Sequence, residues 1–376
     1  MHSVSLLIKP ASGLCNLNCK YCFYHDEMSK RENSHFGIMT SKTFKTLFEK
    51  FINLPDIKSI SLAFQGGEPT IAGLSFFRNV ISTVRELNTN NIDVFYSIQT
   101  NATLLDEEWA KFLYENRFLV GVSLDGDAIN HNLYRIDNNG NETHSLVLSK
   151  IELLQKYNVD FNILTVVTKN TCKNIEAIYR YYKEKGFMFQ QYIPCLDPLH
   201  EKKGNKEYSL LPHDYELFLN KLFNLYYNDI KSGKYIYNRF FENIITILLG
   251  GYPEICSMNG CCSIQYVCEA NGNIYPCDFY SVDEYFLGNI NTNTIEEIDN
   301  TRKKLRFIEN SMVIPDRCRK CKYLRLCRTG CRRDKETNNI IGKNFYCSSL
   351  YNFFEKNISK LNELANLVKV DKYPKQ

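Results

Sequence analysis

Three cysteines near the start of the chain, Cys15, Cys19 and Cys22, have the spacing of a metal-binding loop. Three thiolates in a C-x3-C-x2-C loop can face one point, and a four-iron cluster held by only three cysteines leaves one iron open to an outside ligand. A small molecule that chelates the open iron can be cleaved reductively, with the protein supplying its orientation. A zinc knuckle with His25 as its fourth ligand is the alternative that these residues leave open.

A second group of cysteines fills the C-terminal third of the chain. Ten of the 15 cysteines lie between Cys256 and Cys347, and four of them form a C-x2-C-x5-C-x3-C run that starts at Cys318. Iron–sulfur clusters and four-cysteine zinc sites both use such pieces. Eight basic residues and no acidic one lie from Arg317 to Arg333, and we expect them to offset the negative charge of a thiolate-ligated cluster rather than to bind nucleic acid.

The composition is that of a water-soluble globular chain of 376 residues, with 44% hydrophobic and 23% charged residues. No apolar run approaches the roughly 18 residues of a membrane span, and the apolar start of the chain is too short for a signal peptide. We therefore expect a cytoplasmic protein, in which cysteines bind metals more often than they form disulfides. The net charge of +4 is too small to predict a nucleic-acid partner.

The elements that must position the first cysteines alternate between short apolar strands and longer helical patterns. This alternation predicts an α/β fold, a partial (β/α)6 TIM-like barrel, in which catalytic groups collect on the loops that follow the strands. The predicted strands are Ser5–Lys9, Ser59–Phe64, Val94–Ile98, Leu119–Leu124, Asn162–Val167 and Phe189–Ile193.

The remaining pattern divides the chain into four expected parts. Residues 1–211 form the barrel, 212–251 a helical bridge that is helical from Pro212 to about Leu249, 252–350 a cysteine-rich domain, and 351–376 a C-terminal helix and tail. Gly250 and Gly251 are expected to end the bridge.

The first cysteine loop resembles that of the radical S-adenosylmethionine superfamily. The likeness rests on C-x3-C-x-aromatic-C, with Tyr21 as the aromatic residue, and on Gly66-Gly67-Glu68-Pro69 after the second strand. It implies a [4Fe–4S] cluster and S-adenosylmethionine as cofactors. It also implies roles in binding that cofactor, which fall on Tyr21 (adenine), Gly66, Gly67 and Glu68 (methionine amino group), Ser123 and Arg135 (ribose hydroxyls and carboxylate) and Leu196 (adenine).

The C-terminal cysteines resemble the SPASM auxiliary-cluster region of radical enzymes that modify peptides and proteins. That resemblance implies two more [4Fe–4S] clusters, three in all, one held by Cys256, Cys262, Cys277 and Cys331 and the other by Cys318, Cys321, Cys327 and Cys347. The residues alone leave open whether Cys261 or Cys262 is a ligand, and family spacing favours Cys262. Buried free thiols are expected of the four others, Cys172, Cys195, Cys261 and Cys268.

One segment, Tyr275-Pro276-Cys277-Asp278-Phe279-Tyr280, narrows the resemblance to anaerobic sulfatase-maturating enzymes, together with Leu7–Ser12, Ala63–Thr70 and Cys195–Leu199. Taken alone, Asp278 is more often a turn residue. The likeness implies instead that Asp278 is the proton acceptor when a Cys or Ser in a sulfatase segment Cys/Ser-x-Pro-x-Arg becomes Cα-formylglycine.

The resemblance also implies binding partners, and two alternative functions have to be weighed against it. We expect a sulfatase polypeptide as substrate, an electron donor such as a flavodoxin or ferredoxin, and a monomer. Another peptide-modifying radical enzyme, for instance a thioether-forming maturase, is the nearest rival, although the cysteine loop starts only fifteen residues into the chain. A non-catalytic zinc protein is the rival from a different class. The sequence does not decide whether Cys or Ser is oxidised.

Overall fold

The computed structural model describes residues 3–337 and 340–372. Residues in contact group into two compact units, each made of separate stretches of chain. The first unit holds the chain up to Leu124, His131–Asn162 and Ile264–Phe307, and the second holds Asp125–Asn130, Ile163–Ser263 and the chain from Ile308. The segment that carries Asp278 therefore packs in the same unit as the N-terminal cysteine loop.

The strands of the described residues are β1 (Ser3–Ile8), β2 (Ser59–Phe64), β3 (Asp93–Thr100), β4 (Leu119–Ser123), β5 (Phe161–Val167), β6 (Phe189–Pro194), β7 (Tyr237–Asn238), β8 (Tyr266–Cys268), β9 (Asn273–Tyr275), β10 (Gly288–Asn289), β11 (Glu336–Thr337) and β12 (Ile340–Ile341).

Their helices are α1 (Phe23–Ser29), α2 (Ser41–Ile52), α3 (Leu74–Leu87), α4 (Glu107–Glu115), α5 (Ala128–Asn132), α6 (His144–Lys156), α7 (Lys169–Glu184), α8 (Pro212–Lys231), α9 (Arg239–Leu248), α10 (Ile295–Lys304), α11 (Phe307–Ser311), α12 (Asp316–Arg319), α13 (Leu324–Cys327), α14 (Arg332–Lys335) and α15 (Cys347–Lys372). Short 3-10 turns lie at Pro69–Ala72, Cys256–Met258, Asp278–Tyr280 and Asp283–Tyr285.

The first unit is built on a sheet in which β1 to β4 run parallel in chain order. Leu6 of β1 lies opposite Leu62 of β2, and both side chains are fully buried. On its other side β1 pairs with β8, also in parallel, and antiparallel β9 and β10 extend the sheet. Because β8 lies between β9 and β1, the Asp278 segment that follows β9 begins two strands away from the strand that leads into the cysteine loop.

The helices of the first unit follow their apolar periodicity. Helix α2 buries Phe44, Leu47, Phe48 and Phe51 along one face, as residues three or four apart on a helix must share a side. Thr40 caps its first turn by accepting a hydrogen bond from the Thr43 N–H at 3.0 Å.

In the second unit β5 and β6 pair in parallel, and the short β7 extends them. Helix α7 begins at a capping box in which the Thr168 and Thr171 side chains satisfy each other's backbone N–H groups. Helices α8, α9 and α15 pack around an aromatic core in which the Phe223 and Phe353 rings lie 5.5 Å apart.

All six strands predicted from the sequence fall on β1 to β6, with ends that shift by two residues at most, and the α/β fold class is confirmed. The prediction that the chain is wholly helical from Pro212 to about Leu249 is wrong, because the short strand β7 lies between α8 and α9. Helix α8 ends at Lys231, and Gly233 follows it with a φ of +76° that only glycine adopts easily. The chain then forms β7, and α9 begins afresh with the Asn238 side chain as its cap.

Among the described helices, none is both long and apolar enough to cross a membrane.

Candidate functional site

The N-terminal cysteine loop lies between β1 and α1, where the first parallel strand ends. It is held from one side by the chain around Arg135. The Asn18 N–H donates to the Ile136 carbonyl at 2.8 Å, and the Lys20 N–H donates to the Tyr134 carbonyl at 3.0 Å. Backbone pairing of this kind fixes the loop without using any cysteine side chain.

The surroundings of the three sulfurs suit thiolate ligands. The Cys15 sulfur accepts hydrogen bonds from the Leu17 N–H at 3.3 Å and the Asn101 amide at 3.7 Å, and an Arg135 nitrogen lies 3.9 Å from the Cys19 sulfur. Burial nevertheless raises the pKa of Cys15 to about 12, and the neighbouring Cys19 and Cys22 add to this shift. Buried thiols that disfavour charge become thiolates by binding a metal, so the donor set fits an iron–sulfur cluster.

The described residues contain no group of three Cys, His, Asp or Glu side chains close enough to hold a single metal ion.

The Gly-Gly-Glu-Pro loop after β2 interlocks with the cysteine loop. The Gly67 N–H donates to the Ser12 carbonyl at 2.9 Å, and the Glu68 N–H donates to the Leu14 carbonyl at 2.7 Å. A Cβ at Gly67 would overlap the Leu14 carbonyl oxygen, and Gly66 has a φ of +112°. Close backbone approach and a positive φ both require glycine, so the motif has a packing role in addition to the cofactor-binding role predicted for it.

Glu68 is fully buried and links two loops. Its carboxylate accepts hydrogen bonds from the Thr70 N–H at 3.0 Å, the Thr70 hydroxyl at 2.6 Å, the Thr100 hydroxyl at 2.7 Å and the Asn101 N–H at 2.7 Å. Burial raises the pKa of Glu68, although these hydrogen bonds oppose the shift. Since the Asn101 amide touches the Cys15 sulfur, Glu68 supports the cysteine loop through Asn101.

Of the side chains predicted to bind S-adenosylmethionine, Tyr21 and Arg135 come together. The Arg135 guanidinium lies 5.4 Å from the centre of the buried Tyr21 ring, in a cation–π contact. Ser123 is the buried last residue of β4, at the carboxyl edge where sites of parallel sheets form. Leu196 belongs to the second unit and is half-buried just after β6. The roles of these residues stay predictions.

Asp278 lies at the start of a 3-10 turn and is 6% exposed. One carboxylate oxygen, Oδ2, accepts hydrogen bonds from the Tyr24 hydroxyl at 2.7 Å and the Gln65 amide at 3.1 Å. The other, Oδ1, lies 3.0 Å from Lys9 Nζ but accepts no hydrogen bond of good geometry. A carboxylate oxygen that accepts no hydrogen bond keeps its lone pairs, and the carboxylate can receive a proton there.

Lys9 is the centre of a buried ionic cluster that the sequence reasoning missed. Its ammonium nitrogen lies 3.3 Å from Glu27 and 3.4 Å from Glu269, in addition to Asp278. Arg31 also pairs with Glu269, at 2.8 Å. The cluster joins residues more than 200 positions apart, and an Ile-Lys-Pro sequence at a strand end gives only a weak signal for it.

The electrostatics of this cluster are those of charges removed from water. Burial opposes the charge on Lys9, but Asp278, Glu27 and Glu269 together raise its pKa. Burial raises the pKa of Glu27 to about 7, against the pull of Lys9. Burial also opposes ionisation of Glu269, yet Lys9 and Arg31 lower its pKa. Two cations thus face three carboxyl groups, and the raised pKa of Glu27 favours its protonated form while the lowered pKa of Glu269 favours its charged form.

Three of the four cysteines predicted for one auxiliary cluster interact in the second unit. Burial raises the pKa of Cys262 to about 11, with Cys256 adding to the shift and the cations Arg332 and Lys335 opposing it. Burial raises the pKa of Cys331 as well, and Cys262 and Cys256 contribute. The fourth predicted ligand, Cys277, belongs to the first unit.

The other predicted set surrounds a cavity in the second unit. Cys318, Cys321, Cys327 and Cys347 all line a space of about 560 Å³, together with Arg317 and Lys320. Burial raises the pKa of Cys327 to about 11, and the three other cysteines add to this shift. The cavity and its cationic rim suit a negatively charged cluster.

Three of the four remaining cysteines are buried as expected, namely Cys172, Cys195 and Cys268. The fourth, Cys261, is only half-buried, which corrects the expectation for it. The neighbouring Cys262 has a backbone N–H bound to the Ser311 hydroxyl at 2.8 Å and interacts with the other ligands. Cys262 is half-buried as well, so its proximity to Cys256 and Cys331, and not its burial, supports its choice as the ligand.

Comparison with known proteins adds independent findings. The radical SAM superfamily matches residues 10–182, and an iron–sulfur cluster-binding domain, SPASM, matches residues 260–322. The chain is 47% identical to a cysteine-type anaerobic sulfatase-maturating enzyme of Clostridium novyi, over 97% of this chain and 98% of the relative. A serine-type counterpart from Bacteroides thetaiotaomicron is 26% identical over 93% of this chain and 88% of its own.

Among solved structures, native anSMEcpe with bound AdoMet and the Kp18Cys peptide superposes with a TM-score of 0.92. It is 45% identical and covers 97% of this chain and 99% of its own.

Proposed function

The chain belongs to the anaerobic sulfatase-maturating enzymes of the radical S-adenosylmethionine superfamily, and from this we propose that its substrate is a cysteine of a sulfatase. Enzymes of this family convert a Cys or Ser to Cα-formylglycine. The choice of cysteine rests on one observation. Identity to cysteine-type relatives is 47% and 46%, whereas identity to the serine-type relative of Bacteroides thetaiotaomicron is 26%.

S-adenosylmethionine and [4Fe–4S] clusters are the cofactors of this enzyme class. When bound, they supply the group that removes a hydrogen atom from the substrate Cβ. We assign Cys15, Cys19 and Cys22 to the cluster that S-adenosylmethionine joins, since their sulfurs face hydrogen-bond donors and the Arg135 cation. Tyr21, Ser123, Arg135, Leu196 and the Gly66–Glu68 loop would hold the S-adenosylmethionine.

Asp278 is proposed as the base that takes the proton of the substrate thiol. Its Oδ2 is held by Tyr24 and Gln65, while Oδ1 accepts no hydrogen bond. A thiol or hydroxyl placed against Oδ1 could donate its proton along an available lone pair. The carboxylate is 6% exposed, so bulk water competes little for this position.

The electron that leaves the substrate would go to the auxiliary clusters. We assign Cys256, Cys262, Cys277 and Cys331 to one and Cys318, Cys321, Cys327 and Cys347 to the other. Because Asp278 directly follows Cys277, the proton acceptor and a cluster ligand are neighbours in the chain. The proposed proton acceptor and the proposed route of the electron thus belong to the same short segment of the chain.

Three further proposals rest on the same family membership. We propose a flavodoxin or ferredoxin as the electron donor, a monomeric enzyme, and action in the cytoplasm. The substrate segment would read Cys-x-Pro-x-Arg.

The test compares two peptides that differ only in Cys or Ser at the position to be oxidised. Reconstituted enzyme, a reductant and S-adenosylmethionine are incubated with each peptide without oxygen. The masses of the peptide products are then measured by mass spectrometry. We expect the cysteine peptide to lose its sulfur and gain an aldehyde at a rate at least tenfold above the serine peptide. Faster oxidation of serine would contradict the cysteine assignment, and a cross-linked peptide that keeps its sulfur would favour the thioether-forming rival.

A further inference from the structure

We infer that Lys9 is a positioning residue for the reaction: its buried ammonium holds the Asp278 carboxylate with Oδ2 against Tyr24 and Gln65 and Oδ1 toward the substrate. The inference rests on the proposed role of Asp278 as the base. It concerns a side chain at the end of β1 that does not itself touch the reacting atoms.

The geometry sets Lys9 apart from an ordinary ion pair. Its Nζ lies 3.0 Å from Asp278 Oδ1 and donates a hydrogen bond to the Ser281 hydroxyl at 3.0 Å. Lys9 therefore contacts the segment that carries Asp278 at two residues. Its ammonium also lies 4.9 Å from the centre of the Tyr24 ring. Tyr24 is the residue that donates to Asp278 Oδ2. Lys9 therefore contacts the base, its turn and one of its other partners.

A second set of contacts fixes Lys9 itself. Glu27 on α1 lies 3.3 Å from the ammonium and Glu269 lies 3.4 Å from it. Arg31 contacts the same Glu269 oxygen, Oε1, at 2.8 Å. Each of these side chains is 4% exposed or less. The ammonium cannot move without separating charges that have no water around them.

The stability of the fold alone does not explain such a cluster of buried charges. A buried ion pair often stabilises a fold no more than apolar side chains of the same size, because each charge must first leave water. Lys9 lies at the carboxyl end of a parallel strand, where functional groups of such folds collect. A buried polar network that orients a reactive group is the arrangement that a functional site requires.

The position of Asp278 matters at one step only. In the reaction the Cβ–H and S–H bonds of the cysteine break and a C=S bond forms, with the hydrogen atom going to the cofactor, the proton to Asp278 and one electron to an iron–sulfur cluster. Water then hydrolyses the thioaldehyde to formylglycine, with release of hydrogen sulfide. Cleavage of S-adenosylmethionine precedes the proton transfer. Loss of Lys9 should therefore leave that cleavage intact while formylglycine formation falls.

The experiment measures formylglycine formed per 5′-deoxyadenosine released, with the cysteine peptide, for wild type, Lys9→Met and Lys9→Arg. Lys9→Met keeps the length and loses the charge, and Lys9→Arg keeps the charge. We expect Lys9→Met to retain its iron and to bind the peptide within twofold of wild type, while the product ratio falls at least tenfold. Lys9→Arg should recover part of that loss.

The inference would be overturned if Lys9→Met formed formylglycine at the wild-type rate and at the wild-type ratio to 5′-deoxyadenosine. If Lys9→Met loses iron, Lys9→Gln replaces it, since an amide is also uncharged and can still donate to the Ser281 hydroxyl. An unchanged ratio in iron-replete Lys9→Gln, or a Lys9→Arg ratio as low as that of the neutral variant, would count equally against it. A wild-type enzyme that makes no formylglycine at all would instead refute the proposed function.

Discussion

Asp278 is surrounded by groups that come from three separate parts of the chain. Tyr24 and Gln65 donate to one oxygen, and Lys9 faces the other. Preorganisation of this kind spares the enzyme from reorienting a carboxylate at the moment of proton transfer. The base assignment can be tested separately from the binding of cofactors, because none of these three contacts involves a cysteine.

Replacement of Asp278 by asparagine should slow formylglycine formation by about 100-fold or more, since an amide of the same shape cannot accept the proton. 5′-Deoxyadenosine should still be released. Asp283→Asn is the matched control, because Asp283 is exposed and its carboxylate accepts a hydrogen bond from the Glu32 N–H at 2.7 Å. Peptide oxidation by Asp278→Asn at the rate of the control would show that the base lies elsewhere.

Glu27 should make the stability of the protein depend on pH. Its pKa of about 7 in the folded state lies above its ordinary value of 4.5, so the folded protein binds the proton more tightly than the unfolded chain does. This contribution is fully present below pH 4.5 and is lost as pH rises through 7, at about 1.4 kcal/mol per pH unit.

The variant Glu27→Gln should lack that decline in the free energy of unfolding between pH 5.5 and 7, as measured by anaerobic denaturant titration. Glu49→Gln, an exposed site on α2, should decline as wild type does. Parallel curves for wild type and Glu27→Gln would argue against a proton held on Glu27.

The residues of the site differed in how far they could be predicted. Cysteine spacing predicted Cys15, Cys19 and Cys22 as cluster ligands, and a family resemblance predicted Asp278 as the base. Lys9, Glu27 and Glu269 could not be found in this way, because a charged residue in a sequence is ordinarily a solvated one. Only the fold brings Lys9 within 3.4 Å of Glu269, 260 positions away.

At the scale of the element, the two loops that follow β1 and β2 form one interlocked structure. Backbone hydrogen bonds from Gly67 and Glu68 reach the Ser12 and Leu14 carbonyls. Glu68 then joins this pair to the loop after β3 through Asn101. Three consecutive parallel strands thus end in loops that support the same cysteine.

Gly67→Ala should disrupt this interlock. The new Cβ would overlap the Leu14 carbonyl, so the cysteine loop must shift. We expect the iron content of anaerobically purified protein to fall from about twelve toward about eight atoms per chain, as one four-iron cluster is lost. Gly342→Ala is the control, because the nearest described atom to its Cβ would be the Lys335 carbonyl oxygen at 3.8 Å, an ordinary van der Waals contact. Equal iron in the two variants would refute the interlock as a requirement of the cluster.

Elements were predicted well where apolar periodicity was strong and less well where backbone conformation decided. The six barrel strands followed from their apolar runs. The break between α8 and α9 was missed because the apolar pattern resumes after it, although Gly233 gives the local signal for it. A glycine beside a lysine and a serine is easily read as part of a helix surface.

At the scale of the whole molecule, a late stretch of the chain packs against the first strands. Residues Ile264–Phe307 pack with the N-terminal strands, and β8 pairs directly with β1. Sequence reasoning assigned contiguous ranges to the barrel and the cysteine-rich domain, and those domain boundaries stay a prediction. A pairing between β1 and a strand some 260 residues later leaves no trace in local composition.

The metal content of the intact protein distinguishes the enzyme from the zinc-binding alternative. Anaerobic purification should give a brown protein with iron and acid-labile sulfide at about twelve each per chain, as three four-iron clusters require. Simultaneous replacement of Cys318 and Cys321 by alanine should lower both counts to about eight. Cys172→Ala, at a buried thiol outside the predicted ligand sets, should leave them unchanged. A colourless wild-type protein rich in zinc would contradict the cluster assignment.

The central claim is that this enzyme removes a hydrogen atom from the Cβ of a sulfatase cysteine and leaves an aldehyde there. The most direct measurement uses a Cys-x-Pro-x-Arg peptide whose cysteine carries deuterium at Cβ, with mass spectrometry of both 5′-deoxyadenosine and peptide. We predict one deuterium in the released 5′-deoxyadenosine and a peptide aldehyde that retains the other. Release of 5′-deoxyadenosine without deuterium, beside a peptide with its thiol intact, would contradict the account.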